Sequence, residues 1–165
     1  MMGNNNLKLR IINSAVDGSY VELLKQEEII SFLKRITIKQ SLEIAKRADR
    51  SEIFKIIFSS EKITLKQCLE SLASFHHNAM IAILLDRNDV VSFIKNEERG
   101  KVLQFIGRAP YWQIWEIFLE RQDLTAEEKM DCVDKHSKRV NNYNHQYLRE
   151  KILKMPDVQE YLQYQ

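Results

Sequence analysis

Apolar residues recur along this chain at the three- and four-residue steps of a helix face, in two kinds of segment. One kind keeps a polar side: between residues 38 and 48, Ile38, Ser41, Ile44, Ala45 and Ala48 share a face while Lys39, Glu43 and Lys46 lie elsewhere. The other kind is apolar almost all round, as in Ile53 to Phe58, Ala79 to Leu85 and Tyr111 to Leu119. The first kind predicts outer helices and the second helices buried on several sides. Ile81 to Leu85 and Val90 to Ile94 also fit buried strands by pattern alone. Helix caps and the scarcity of turn residues favour helix for both.

The caps announce a repeat. Ile36-Thr37-Ile38-Lys39-Gln40-Ser41-Leu42-Glu43 returns 27 residues later as Ile63-Thr64-Leu65-Lys66-Gln67-Cys68-Leu69-Glu70. Thr37 and Thr64 sit where a capping threonine accepts from the backbone N–H three residues on, and Gln40 and Gln67 sit where an amide reaches back to the cap. Ile36 and Ile63 hold the place of a staple residue. Thr125 with Glu128, Ser19 with Glu22 and Asp49 with Glu52 predict three further helix starts of the same chemistry.

Between these starts the pattern predicts about nine to eleven helices. A short one covers residues 7 to 15, Asp17-Gly18 breaks it, and a longer one runs from Ser19 to Arg35. Pairs follow at 38 to 48 and 50 to 60, 65 to 76 and 78 to 87, 90 to 107 and 110 to 122, and 126 to 139 and 143 to 154. A last helix follows Pro156. Pro110 fits a first helical position, Gly107 a C-terminal cap, and Gly100 an interruption. The predicted fold class is all-α: stacked antiparallel helix pairs, as a solenoid or a compact bundle.

Composition agrees with that class. Hydrophobic residues make up 44% and charged residues 29% of 165 residues, a globular balance, and only four glycines and two prolines are available for hairpins or phosphate loops. Asn4 to Asn6 read as a frayed leader, so residues 1–6 are expected to be disordered and residues 7–165 to form one helical-repeat domain. The N-terminus lacks the pattern of a signal peptide, and no apolar run is long enough to span a membrane. Cys68 and Cys132 suit a reducing, cytoplasmic setting better than a disulfide. Heavy use of Ile, Lys and Asn points to a bacterial source, and delivery into a host cell by a secretion system is compatible with it.

With its internal repeat and paired helices, the segment from about 17 to 155 resembles α-helical repeat proteins of the HEAT, ankyrin or TPR kind. The resemblance is one of architecture. Ankyrin's Thr-Pro-Leu-His and the patterned Trp, Gly, Tyr and Pro of TPR units are absent, so no family residue carries over. It implies a stacked scaffold that holds other macromolecules.

Chemistry is sparse by comparison. Cys132 and His136 stand one helical turn apart near Asp131 and Asp134, too few ligands for a metal site. His76-His77 suits a helix end, where it complements the dipole. Cys68 and His76 are about 12 Å apart along one helix and cannot act together there. No cofactor or metal is expected, and no catalytic constellation is legible.

Two surfaces stand out for binding. Arg35, Lys39, Lys46 and Arg50 fall within about 60° on a helical wheel, given one continuous helix, and make a basic stripe. Tyr111, Ile114, Trp115 and Phe118 follow a core stripe that leaves Trp112 to its side, as core packing or as a binding hot spot. The net charge of +2 is low for a nucleic-acid binder. The reading that follows is a protein-interaction module, an adaptor or regulator, with another protein as partner and no membrane. Its alternatives are nucleic-acid binding through the stripe and a tail around Lys138, Arg139, Tyr143, Tyr147 and Arg149, and an enzyme whose site is assembled from distant residues.

Overall fold

The computed structural model describes residues 3–59, 62–74, 78–137 and 142–165, and among them it holds thirteen α-helices and no strand. The helices pack on one another, so the fold is all-α. The strand alternative for Ile81 to Leu85 and Val90 to Ile94 falls away, because both runs are helical. The helices group into two compact units, residues 1–87 and 88–165.

The first unit holds α1 (Asn4–Asp17), α2 (Tyr20–Leu23), α3 (Glu27–Arg35), α4 (Ile38–Ala48), α5 (Ser51–Phe58), α6 (Leu65–Leu72) and α7 (Asn78–Leu85). Its centre is α5, which packs against α3, α4 and α7. Ile53, Phe54, Ile57 and Phe58 are all buried there, with the two phenyl rings stacked at 4.2 Å. Burying side chains of this size contributes about 1.5–3 kcal/mol each. In α4 the face predicted to turn inward does so, with Ser41, Ile44, Ala45 and Ala48 buried.

The second unit holds α8 (Asn88–Asn96), α9 (Arg99–Arg108), α10 (Trp112–Leu119), α11 (Ala126–Ser137), α12 (Asn142–Ile152) and α13 (Pro156–Gln163). Here α10 packs on α8 and α12, and α11 on α12 and α13. Leu119, Val133, Leu148 and Ile152 form one buried cluster in it, with Trp112, Trp115, Met130, Cys132 and Met155 packed against them.

Thirteen helices exceed the predicted number because two long segments divide. The segment from Ser19 to Arg35 breaks after Leu23, where the amides of Lys25 and Gln26 bond to Glu22 and Leu23 and tighten the last turn. Gln26 then turns extended, and Glu27 and Glu28 supply the acidic first turn of α3. The segment from 90 to 107 breaks at Glu97-Glu98, ahead of Gly100, because Glu98 is extended at ψ 128° and Arg121 binds the carbonyls of Ile94 and Glu97 at 3.0 and 2.8 Å. At the N-terminus α1 already begins at Asn4, inside the expected leader, and it ends at Gly18, whose φ of 83° is the left-handed conformation a glycine adopts freely.

Three of the predicted capping boxes form, at Thr37–Gln40, Thr64–Gln67 and Thr125–Glu128. Two do not. Ser19 turns its amide and hydroxyl to the Asp17 carboxylate, at 2.9 and 2.6 Å, and makes no side-chain cap. Asp49 is left-handed, at φ 49°, and ends α4, leaving Arg50 as the residue before α5. Pro110 lies two residues before α10, whose N-cap is Tyr111, so its predicted place inside the helix is corrected. Pro156 does take the first position of α13.

Candidate partner-binding surface

Helix α4 carries the residues that matter most. Its capping box starts it and left-handed Asp49 stops it, so both ends are set locally. With one face buried, the stripe Lys39, Leu42, Glu43 and Lys46, at i, i+3, i+4 and i+7, lines the edge that faces α6. Across from it stand Glu70, Ser71 and Ser74, and the two walls enclose an open groove of about 360 Å³.

Both serine hydroxyls bond within α6 and its last turn, Ser71 to the Gln67 carbonyl at 2.7 Å and Ser74 to that of Glu70 at 3.0 Å. The α6 wall is therefore low and self-satisfied. On the other wall Glu43 is engaged by Lys8 at 2.7 Å and approached by Arg47 at 3.9 Å. The bond from Lys8 holds its carboxyl below the usual carboxylate range. Lys39 and Lys46 are exposed, and neither is in an ion pair among the described residues.

The basic stripe is not carried by one continuous helix. Arg35 ends α3, where its Nε donates to the Ser31 carbonyl at 3.2 Å, and the extended Ile36-Thr37 link separates it from α4. Arg50 lies beyond Asp49, donates Nε and Nη2 to the Ala15 carbonyl at 3.0 and 2.8 Å, and sits 5.4 Å from the centre of the Tyr20 ring. It closes the C-terminal end of α1. The continuous helix assumed in placing four cations together is broken at both ends, and of the four only Lys39 and Lys46 stand on α4.

Trp112 opens α10 half-buried, with its ring edge-on to Tyr147 at 5.1 Å and its body against the core of the second unit. Tyr111 beside it is half-buried, and burial raises its phenol pKa. Trp115, expected in the core, is half-buried and meets Phe118 edge-on at 5.8 Å. Tyr147 also donates to Glu116 at 3.2 Å. Lys138 and Arg139 of the basic tail, His76-His77, and the side chains of His136 and Tyr143 lie outside the described residues. Cys68 is buried, and burial pushes the half-buried Cys132 thiol up, away from thiolate chemistry.

A larger cleft of about 750 Å³ in the second unit is lined by Lys95, Glu120, Thr125, Lys129, Met155 and Asp157, among others. Its charges are already matched. Lys129, only 7% exposed, donates to Asp157 at 2.5 Å, and Lys95 lies 3.1 Å from Glu120. In the α4–α6 groove, by contrast, Lys39 and Lys46 are in no ion pair among the described residues.

Sequence pattern did not single out Leu42, Ser71 or Ser74. The 27-residue repeat was the signal, since it aligns α4 with α6 and shows Lys46 and Arg47 replaced by Ala73 and Ser74 on the second copy. Among known proteins, no family model, curated protein or solved structure matches the chain.

Proposed function

We propose that this chain is a protein-interaction module, an adaptor or regulator, whose partner lies along the groove between α4 and α6. The observation that carries the reading is the pair of exposed lysines, Lys39 and Lys46, in no ion pair among the described residues, flanking half-buried Leu42 in an open groove whose opposite wall is formed by Glu70, Ser71 and Ser74. An apolar seat with charged rims is the usual make-up of a protein-binding patch. Arg35 and Arg50 donate to the Ser31 and Ala15 carbonyls, which leaves them less available for phosphate contacts and favours the protein reading over the nucleic-acid one. Among the described residues no helix is long and apolar enough to cross a membrane.

Ser74→Trp tests the reading, because it fills the groove without altering a charge and replaces an exposed side chain. The full chain and this variant are compared in affinity capture from nuclease-treated lysate of the source cells, with circular dichroism melting as the folding control. A protein partner held by the native chain and lost by the variant at unchanged melting temperature is the expected result. A partner retained equally by both places binding elsewhere and overturns the proposal.

A further inference from the structure

We infer that the partner presents to this groove a short extended acidic segment, with two carboxylates three residues apart and an apolar side chain between them. The inference rests on the groove reading above and names the ligand chemistry of that surface.

Charge comes first. Glu43 is shared among cations, bonded by Lys8, approached by Arg47 and attracted by Lys39, so one carboxylate stands against several positive charges and the α4 wall keeps a surplus of ammonium groups for an anion. Spacing comes next. Seven residues of helix separate the lysines by about 10 Å along the axis. A polyproline-II segment rises about 3.1 Å per residue and repeats its orientation every third residue, which puts residues i and i+3 on one side about 9 Å apart. Two acidic residues at that interval reach both lysines, and a residue between them meets Leu42.

Size and the opposite wall decide the conformation. A helix with its side chains is about 10–12 Å across, and a groove of about 360 Å³ takes a few side chains rather than a helix body. Ser71 and Ser74 keep the α6 wall low, with hydroxyls turned to their own backbone, which leaves space for a single extended strand. Glu70 on that wall repels a carboxylate, so the acidic side of the segment is directed to α4 and a neutral or basic side to α6.

The test is an NMR titration of the isotope-labelled full chain with a hexapeptide bearing two glutamates three residues apart and a leucine between them. Six residues are too few for a stable isolated helix, so the peptide offers no preformed helix to the groove. The expected result is saturable shifts confined to amides of α4 and α6, weakened by salt. Replacing both glutamates by glutamine in the peptide, or using Lys39→Gln with Lys46→Gln in the protein, is expected to weaken binding about tenfold or more. No saturable shift, shifts centred outside α4 and α6, or equal binding of the glutamine peptide overturns the inference.

The same variants separate its failure from that of the groove reading. If the captured partner is lost by Ser74→Trp but held by the Lys39→Gln, Lys46→Gln chain, the groove stands and the acidic ligand is wrong. A partner held by Ser74→Trp removes both.

Discussion

Arg50, Arg87 and Arg121 each carry a guanidinium to backbone carbonyls between 24 and 35 residues upstream. The targets are Ala15 near the end of α1, Phe58 at the end of α5 together with Ile63, and Ile94 with Glu97 at the end of α8. The last carbonyls of a helix lack an internal partner and form the negative end of its dipole, so a cation satisfies both needs. Arg121 is only 5% exposed and also pairs with Asp123 at 2.8 Å. Arg121→Met is expected to cost about 3 kcal/mol in urea unfolding, and Arg50→Met, whose residue is exposed, about 1 kcal/mol. Unchanged stability of the Arg121 variant would contradict the role assigned to it. Each of these arginines follows an acid, as Asp49-Arg50, Asp86-Arg87 and Glu120-Arg121, at intervals of 37 and 34 residues. That period lies close to those of helical repeats. The recurrence was legible in the sequence, but its meaning was not, because a helical wheel places Arg50 by assuming continuity that left-handed Asp49 ends.

Carboxylates set the response to acid at the same scale. A bond from Lys129 lowers the Asp157 pKa, one from Arg121 lowers that of Asp123, and the Thr125 amide with Arg99 lowers that of Glu128. Each binds its proton less readily folded than unfolded, so the unfolded chain holds more protons and stability rises with pH. Their contribution is present above the ordinary carboxylate range of about pH 4 and is lost below it. Chemical denaturation midpoints across this range are expected to fall as pH falls, and to fall less in the Asp123→Asn, Asp157→Asn double variant relative to its own neutral-pH value.

Elements were legible where a local signal set their ends. Thr37 and Thr64 cap α4 and α6 with both bonds of the box in place, and Thr→Ala at either site is expected to cost about 1 kcal/mol of unfolding free energy. Ser19→Ala should cost far less, since its hydroxyl caps nothing. The divided helices escaped the pattern for a physical reason: the break between α8 and α9 is stabilised by Arg121, a residue more than twenty positions away. No window of neighbouring residues contains that information. Packing between elements gives a further expectation. Ending the chain at Asp123 removes Val133, Leu148 and Ile152, against which Leu119, Trp112 and Trp115 pack. The truncated protein is expected to melt lower and to aggregate, as read by circular dichroism and size-exclusion chromatography. A 1–123 chain as stable and monomeric as the whole would contradict this account of α10.

At the scale of the molecule, the sequence reads as one repeat domain, and the structure groups its helices into two compact units that divide in the chain between Arg87 and Asn88. No Pro- or Gly-rich linker marks that point, so composition carried no sign of it. The binding surface was half legible. Lys39 and Lys46 lie on the polar side of an amphipathic helix and were visible as such, but the groove needs α6 beside α4, a juxtaposition made by the packing of α5 on α7. The central claim, that a protein partner occupies this groove, is tested most directly by hydrogen–deuterium exchange of the full chain, free and bound to the captured partner. Protection concentrated in α4 and α6, with α12 exchanging as in the free chain, is the predicted result. Protection elsewhere with α4 and α6 unchanged would contradict it.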